Sequence, residues 1–377
     1  MLIGIDASRA TRSRRTGTEA YAHFLIQALI PQAESRGYRL RLYFNRPPAP
    51  DLFARSPAVE TRVIRLARLW THLRLAAELR RRPPDVFFTP AHVIPISYYG
   101  PSVATVHDLG YLAFPEAHTR RQLAYLRWST AHNARRSRLV LADSAATRAD
   151  LSTHYGIDPG KIRVIYPGAD PLLAPVKEGR ELAQVRERYG LHKPYLLAIG
   201  TIQPRKNLER LVEAFAASGI TATAGAQLVL AGMSGWRSGP ILETVERNQR
   251  RLPGGQPAII LPGYVAVEDK AALISGAQAL LFPSLYEGFG FPILEGNACG
   301  TPVLAADTSS LPEIAGQAAL LVDPLDTGAI AEGINRITTD HPLRMRLAEA
   351  GLANVKRFSW EEAAGQVLAA LEQAAGQ

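Results

Sequence analysis

Cysteine occurs once, as Cys299, in a chain of 377 residues. A disulfide framework within the chain is excluded, and a reducing compartment is expected. Cys299 falls inside a predicted helix and reads as a small apolar residue, not as a nucleophile. No apolar run is long enough to span a bilayer. The amino terminus, Met1-Leu2-Ile3-Gly4-Ile5-Asp6, enters a strand at once and carries no leader pattern, so a cytoplasmic protein is expected. No Asp-x-Asp pair is present, and no metal site is visible. No Gly-x-Gly-x-x-Gly run is present, so the dinucleotide fingerprint is missing. Internal repeats and low-complexity segments are lacking too.

What the chain does have is length for two domains, ordinary apolar content and unevenly placed charge. Residues 1–172 carry a net charge of +12 and the remainder −3. Nucleic acid, an anionic membrane or an anionic substrate would each account for this basicity. So would a solvated, arginine-rich surface.

Alternating strand and helix signals run through the chain in two sets, which implies two doubly wound α/β domains. In the first set, strands are expected at Leu2–Ala7, Arg39–Tyr43, Arg62–Leu66, Asp85–Thr89, Val103–Val106, Leu139–Ala142 and Lys161–Ile165. Ser8–Gly17 is a polar loop with four arginines before a helix from Thr18. Trp70–Arg82 is helical and mixes Trp70 with basic residues, which suits a membrane interface or a solvated crossover helix. Tyr111–Arg138 is a basic helical hairpin. Pro171, Pro175 and Gly179 mark a linker. The second set has strands at Tyr195–Ile199, Gln227–Ala231, Ala258–Leu261, Ala279–Phe282, Pro302–Ala305 and Ala318–Val322. The domains are expected at 1–172 and 173–358, with 359–377 a last helix capped by Ser359. Ligands of doubly wound sheets bind at the C-terminal ends of the strands, here in a cleft between domains.

Two stretches carry chemistry. Residues 280–300 read as strand, glycine loop and helix: an apolar strand ending at Pro283, a loop with Gly288 and Gly290, Pro292 at a first helical position and Gly300 at a stop. A helix start of this kind attracts an anion. Glu287 and Glu295 bracket it; carboxylates would repel an anion but suit vicinal hydroxyls, since each accepts paired hydrogen bonds. A ligand with both phosphate and hydroxyl pairs is a nucleotide sugar. The second stretch is Pro204-Arg205-Lys206-Asn207, which sets two cations at a strand-to-helix turn. Cations are disfavoured at that end of a helix dipole, so an anion should offset them.

Glu287 and Glu295, with seven residues between them, and the intervening Gly288-Phe289-Gly290-Phe291-Pro292 resemble the E-x7-E motif of glycosyltransferase family 4. The resemblance covers nearly the whole chain and is strongest at 195–325. It implies the GT-B fold, with the last helix at 359–377 crossing back to the first domain, and a retaining, metal-independent hexosyl transfer without a cofactor. The donor is a nucleoside diphosphate sugar and the acceptor a saccharide or lipid-linked saccharide. It further implies that Gly17, Arg205, Lys206 and the N–H groups of Phe289, Gly290 and Phe291 hold the donor diphosphate. Thr201 stands where many members have arginine, so Arg205 must do that residue's work. The resemblance places Gly263, Tyr264 and Val265 beside the base, Glu295 on the ribose and Glu287 on the sugar. The resemblance also implies that His107, in Val106-His107-Asp108-Leu109, lies beside the transferred sugar near the reacting carbon. With Pro204–Asn207, that run looks most like polysaccharide mannosyltransferases and points to GDP-mannose. No second carboxylate is placed as a nucleophile, so same-face attack assisted by the leaving phosphate is expected. Two other readings are a sugar-nucleotide epimerase of the same fold and a basic nucleic-acid-binding protein. The second leaves 281–299 unexplained, and no nucleic-acid partner is expected. The basic first half suits peripheral contact with an anionic membrane.

Overall fold

A computed structural model describes residues 1–11, 17–66, 69–91, 93–252 and 257–376. Arg12, Arg14 and Arg15 of the expected basic loop lie outside the described residues. The chain divides into two compact units, one of Met1–Gly168 together with the segment from Phe358 onward, the other Ala169–Arg357.

The first unit is built on a parallel sheet of seven strands: β1 (Leu2–Asp6), β2 (Arg39–Phe44), β3 (Val59–Val63), β4 (Val86–Thr89), β5 (Ser102–Val106), β6 (Leu139–Ala142) and β7 (Ile162–Val164). Their spatial order is β3-β2-β1-β4-β5-β6-β7. Strands β4, β5 and β6 are buried along their whole length, as expected when helices cover both faces of a parallel sheet. Strand β3 lies three residues earlier than its apolar signal. It is an edge strand paired in register from Leu40 with Val59, and Glu60 ties it to β2 through the buried Arg41 at 2.8 Å and Arg39 at 3.9 Å. Those charge pairs set the strand's place where apolar content does not.

Two helical expectations change. The stretch from Trp70 is a π-helical turn, Thr71–Leu75, running into Ala76–Arg81. Trp70 is buried and its indole N–H donates to Ile64 O at 2.6 Å, so it belongs to the core and not to a membrane interface. The expected hairpin is broken up at Phe114-Pro115; its main body is one helix, Arg120–Arg136, opened by a Thr119/Gln122 capping box.

The C-terminal helix, Trp360–Ala375, packs on the Gly17–Ser35 helix and on β4 and β5. Trp360, Ala363, Ala364, Val367, Leu368, Ala370, Leu371 and Ala374 form its buried stripe at helical spacing. Its polar edges are tied as well: Gln32 donates to Glu361 O at 2.7 Å, Arg36 pairs with Glu372 at 2.7 Å, and Arg138 donates to Ala374 O at 2.6 Å. The segment is thus part of the first unit's core although it comes last in the chain.

The second unit holds six parallel strands: β8 (Tyr195–Ile199), β9 (Gln227–Ala231), β10 (Ile259–Gly263), β11 (Ala279–Phe282), β12 (Val303–Ala306) and β13 (Ala319–Val322). Their order is β10-β9-β8-β11-β12-β13. Chain order reverses between β8 and β11, and in the first unit between β1 and β4. Such switch points leave a crevice at the strands' C-terminal ends. Among the described residues, no helix is long and apolar enough to cross a membrane.

Leu371 is fully buried in the C-terminal helix. Leu371→Ala should lower the unfolding free energy of the first unit by about 2–5 kcal/mol. Urea unfolding followed by fluorescence in a Trp236→Phe background checks this, because Trp70, Trp128 and Trp360 all lie in that unit. An unchanged midpoint would mean that the helix adds nothing to the unit's stability.

Candidate functional site

The second unit's site grows from the β8 and β11 exits. Strand β8 ends at Ile199 and is followed by Gly200, a short 3-10 turn, Pro204–Lys206, and only then by the Leu208–Ser218 helix. The helix therefore starts two residues later than Lys206, and Asn207 makes the junction in the left-handed conformation at φ 60°. Its side-chain amide donates to Pro283 O at 3.0 Å and Pro324 O at 2.7 Å, which fastens the turn beside β11.

Strand β11 runs into the glycine loop and the Phe291–Ala298 helix. Gly290 has φ 127°, open to glycine alone, and a Cβ there would sit 2.9 Å from Leu311. Ser309 Oγ accepts from Glu287 N–H at 3.0 Å, and Ser310 Oγ lies 2.9 Å from Glu287 O and 2.6 Å from Phe289 O. These two serines brace the loop. The sequence reading misses them, because nothing in a Ser-Ser pair after β12 marks it as a partner of residues some twenty positions earlier.

The braced loop brings Glu287 against both cations. Its Oε1 is 2.7 Å from Lys206 Nζ and its Oε2 is 2.7 Å from Arg205 Nη1; Arg205 also donates to Tyr286 O at 2.7 Å. Lys206 lies over the Phe282 ring, 4.6 Å from its centre. Burial would raise the Glu287 pKa, but Lys206 and Arg205 outweigh it and hold the carboxyl below its ordinary value. Burial lowers the Lys206 pKa, and the attraction of Glu287 only partly offsets this. Two cations against one carboxylate leave this nest with a surplus positive charge. Glu287, expected on the sugar, is therefore also the anion that the cations were expected to require.

Glu295 stands one turn into its helix and pairs at 2.6 Å with Lys270, from the Val267–Ser275 helix. Burial works against the Lys270 ammonium, yet Glu295 raises its pKa above the ordinary value. Lys270 is a second residue the sequence does not flag, being a lone lysine in a helix. Cys299 is buried and its thiol is pushed up to about 12, chiefly by burial, as expected of a residue without nucleophilic character.

Three glycines shape the sheet edge. Gly200 and Gly232 follow β8 and β9 directly and Gly263 ends β10, with φ of 139°, 150° and 78°. A Cβ on Gly232 would fall against the Gly200 carbonyl, so that exit admits only glycine. Tyr264 follows Gly263 with its ring exposed, and Val265 is half-buried.

In the first unit, His107 leaves β5 with both ring nitrogens engaged. Nδ1 is 2.6 Å from Asp143 Oδ2 and Nε2 is 2.8 Å from Pro90 O. A carbonyl oxygen only accepts and an ionised carboxylate only accepts, so this pair of bonds suits the doubly protonated ring. Burial opposes that charge, but Asp143 and Asp108 prevail and the His107 pKa is raised. The Tyr21 ring meets the imidazole edge-on with centres 4.7 Å apart. Asp108 instead accepts from Gly110 N–H at 2.8 Å. Asp143, at the exit of β6, is a third residue missed, since its role depends on β5 and β6 being neighbours. Gly17 opens the Gly17–Ser35 helix, with the buried Glu19 of its first turn 3.4 Å from Arg9. Among the described residues, no group of three or more His, Cys, Asp or Glu side chains could hold a metal ion.

Comparison with known proteins follows the division into units. Residues 182–353 match the family described as "Glycosyl transferases group 1", and residues 15–171 match "Glycosyltransferase Family 4". The chain is 32% identical over 282 residues to O-antigen chain mannosyltransferase B of Escherichia coli, covering 72% of each chain. Among solved structures, sucrose-phosphate synthase from Thermosynechococcus elongatus superposes with a TM-score of 0.74 at 23% identity, over 99% of this chain and 98% of that one. Anabaena HepE in complex with UDP and glucose gives 0.73 at 20% identity, over 99% of both chains. The fold shared with these structures is the expected GT-B arrangement of two Rossmann-like parallel-sheet domains.

Glu287→Gln leaves the half-buried Lys206 and Arg205 without their carboxylate and should destabilise the second unit by about 1–3 kcal/mol. The pH dependence has a definite sign. A depressed carboxylate pKa adds stability that is present above the ordinary value of 4.5 and is lost as pH falls through the lower folded value. Urea midpoints of both forms between pH 7 and about pH 3 check it: the wild-type advantage should shrink toward acid. A gap independent of pH would point to lost packing, not to charge.

Proposed function

The chain belongs to the group 1 glycosyltransferases, with a family 4 amino-terminal half, and from that premise we propose that it moves a mannosyl group from GDP-mannose to a saccharide hydroxyl. Anomeric configuration is retained and no metal ion takes part. The acceptor is a saccharide, free or lipid-linked, and the reaction is cytoplasmic. The mannosyl choice rests on the relative's name and on the Val106–Leu109 and Pro204–Asn207 runs.

The observation that carries the reading is the Arg205–Lys206–Glu287 nest at the β8/β11 switch point. The barrier to transfer lies in two developing charges, an oxocarbenium-like sugar and a leaving diphosphate. The nest's surplus positive charge suits the leaving diphosphate, with the N–H groups of Phe289, Gly290 and Phe291 beside it. Preorganised donors of this kind each contribute on the order of 3–4 kcal/mol. Cations built into the fold do the work that a metal ion does elsewhere.

Glu287 has two oxygens engaged by cations, and a carboxylate offers about four lone-pair sites. It therefore keeps capacity for sugar hydroxyls while it holds the cations in place. Glu295, held by Lys270, takes the ribose hydroxyls, and Gly263, Tyr264 and Val265 flank the base. His107 acts as a fixed ring beside the sugar and not as a proton shuttle, since both of its nitrogens are occupied. The C1–oxygen bond to the diphosphate breaks while the acceptor oxygen attacks the same face, and the acceptor proton passes to the departing phosphate.

Lys206→Ala should weaken GDP binding at least tenfold by calorimetry, and the donor assay decides the class. GDP-mannose with an oligosaccharide acceptor should give a product whose anomeric signal matches the donor's by NMR. Turnover with UDP sugars alone would overturn the donor, an inverted anomer the stereochemistry, and a new sugar nucleotide formed without acceptor would indicate an epimerase. For the two glutamates, Glu295→Gln should mainly raise the donor KM, whereas Glu287→Gln should depress kcat. The reverse pattern would exchange their roles.

A further inference from the structure

A surface of the first unit remains that takes no part in this chemistry. It is made by the Arg120–Arg136 helix, the Thr71–Leu75 turn with Leu69 before it, and the loop at 93–99. Leu69, Leu73, Ile96, Tyr99, Tyr125 and Trp128 are between 40% and 79% exposed there. They adjoin. Trp128 is in ring contact with Tyr125 at 5.7 Å, His132 at 5.1 Å and His72 at 6.0 Å. Ile96 N–H donates to His72 Nδ1 at 3.4 Å, and the Arg136 guanidinium lies 4.4 Å over the Tyr99 ring.

The patch is mounted rigidly. Asn133 Oδ1 accepts from Ile94 N–H at 2.9 Å, His132 Nε2 donates to Ile94 O at 3.0 Å, and Arg136 Nε donates to Tyr98 O at 3.0 Å. Leu69 is held at φ 57°, an unfavourable conformation for leucine, with its side chain still turned to solvent. Its charge has one sign. Residues 69–75, 93–99 and 120–136 contain no Asp or Glu, while Arg74, Arg120, Arg121, Arg127, Arg135 and Arg136 lie within them. Among the described residues, no carboxylate forms a salt bridge with Arg120, Arg121, Arg127 or Arg135.

We infer that this face lies against an anionic lipid bilayer. Exposed aliphatic side chains enter the acyl boundary, aromatic rings settle at headgroup level, and arginines meet lipid phosphates. A saccharide fits the observations less well. Leucine and isoleucine offer nothing to hydroxyls, and one face of the Trp128 ring is already stacked on His132. A second copy of this chain would bring arginine against arginine across a two-fold interface. The face keeps Leu73 and Arg74 of the Trp70–Arg82 stretch that the sequence suggested, but Trp70 itself is buried and takes no part.

The test is flotation with vesicles of phosphatidylglycerol and phosphatidylcholine, against phosphatidylcholine alone. The full chain should float with the anionic vesicles only, and lose them near ~0.5 M salt. Leu73→Glu/Ile96→Glu should weaken binding at least tenfold. Arg121→Gln/Arg127→Gln should weaken it about 25-fold, roughly fivefold per arginine. All four positions are exposed or half-buried, and circular dichroism checks that the variants fold. In a Trp236→Phe background, brominated lipid should quench Trp128. Equal binding to both vesicle types, binding to neither, or variants that float like wild type would each overturn the inference. So would variants that lose self-association or oligosaccharide binding while keeping the vesicles. No sugar nucleotide enters the assay, so its outcome is separate from that of the donor reading.

Discussion

The second unit depends on one electrostatic arrangement: two adjacent half-buried cations held by one buried carboxylate. Arg205 and Lys206 sit where a helix dipole and low dielectric both oppose positive charge. Glu287 makes them tolerable, and the fold has to deliver Glu287 to them. It does so because β8 and β11 are neighbours, so that residues some eighty positions apart leave the sheet side by side. The loop that carries Glu287 cannot relax away, since Ser309 and Ser310 grip its backbone and Gly290 takes a turn closed to other residues. A carboxylate flanked by two cations is an electrostatic half-measure. It holds both cations in place and leaves a surplus positive charge at the turn.

The first unit solves a similar problem with a single charge pair. A half-buried histidine at the β5 exit is held between a carboxylate from the β6 exit and a carbonyl from the β4 exit. In both units a charged side chain at the end of one strand is fixed by partners from the strands beside it. Parallel sheets favour this, because every strand ends at the same edge and each exit loop meets its neighbours there. The same edge is where glycines are obligatory, at Gly232 against the Gly200 carbonyl and at Gly290 against Leu311.

Part of this was legible in the chain. Apolar runs place twelve of the thirteen described strands nearly correctly, because a buried parallel strand must be apolar on both faces. Residues Gly288–Pro292 announced a loop and helix start, and the Glu287–Glu295 spacing named the family. The misjudged elements were those held by polar contacts. Strand β3 took its position from Glu60 and two arginines. The Trp70 indole went inward because Ile64 O was available to it. The Arg120–Arg136 helix was read as a hairpin because basic residues mask its apolar spacing, and Thr119 was overlooked as its cap.

Thus the amino-acid order by itself determined the fold class, the two sets of strands and the residue types that could bind a nucleotide sugar. These follow from periodicity and local turn chemistry, which act over a few residues. Only the tertiary structure decided what those residues bind within the protein: Glu287 to Arg205 and Lys206, Glu295 to Lys270, His107 to Asp143. Each pairing joins segments far apart in the chain whose meeting depends on strand order. No local pattern encodes strand order; it emerges when the sheet is assembled and its apolar faces are covered.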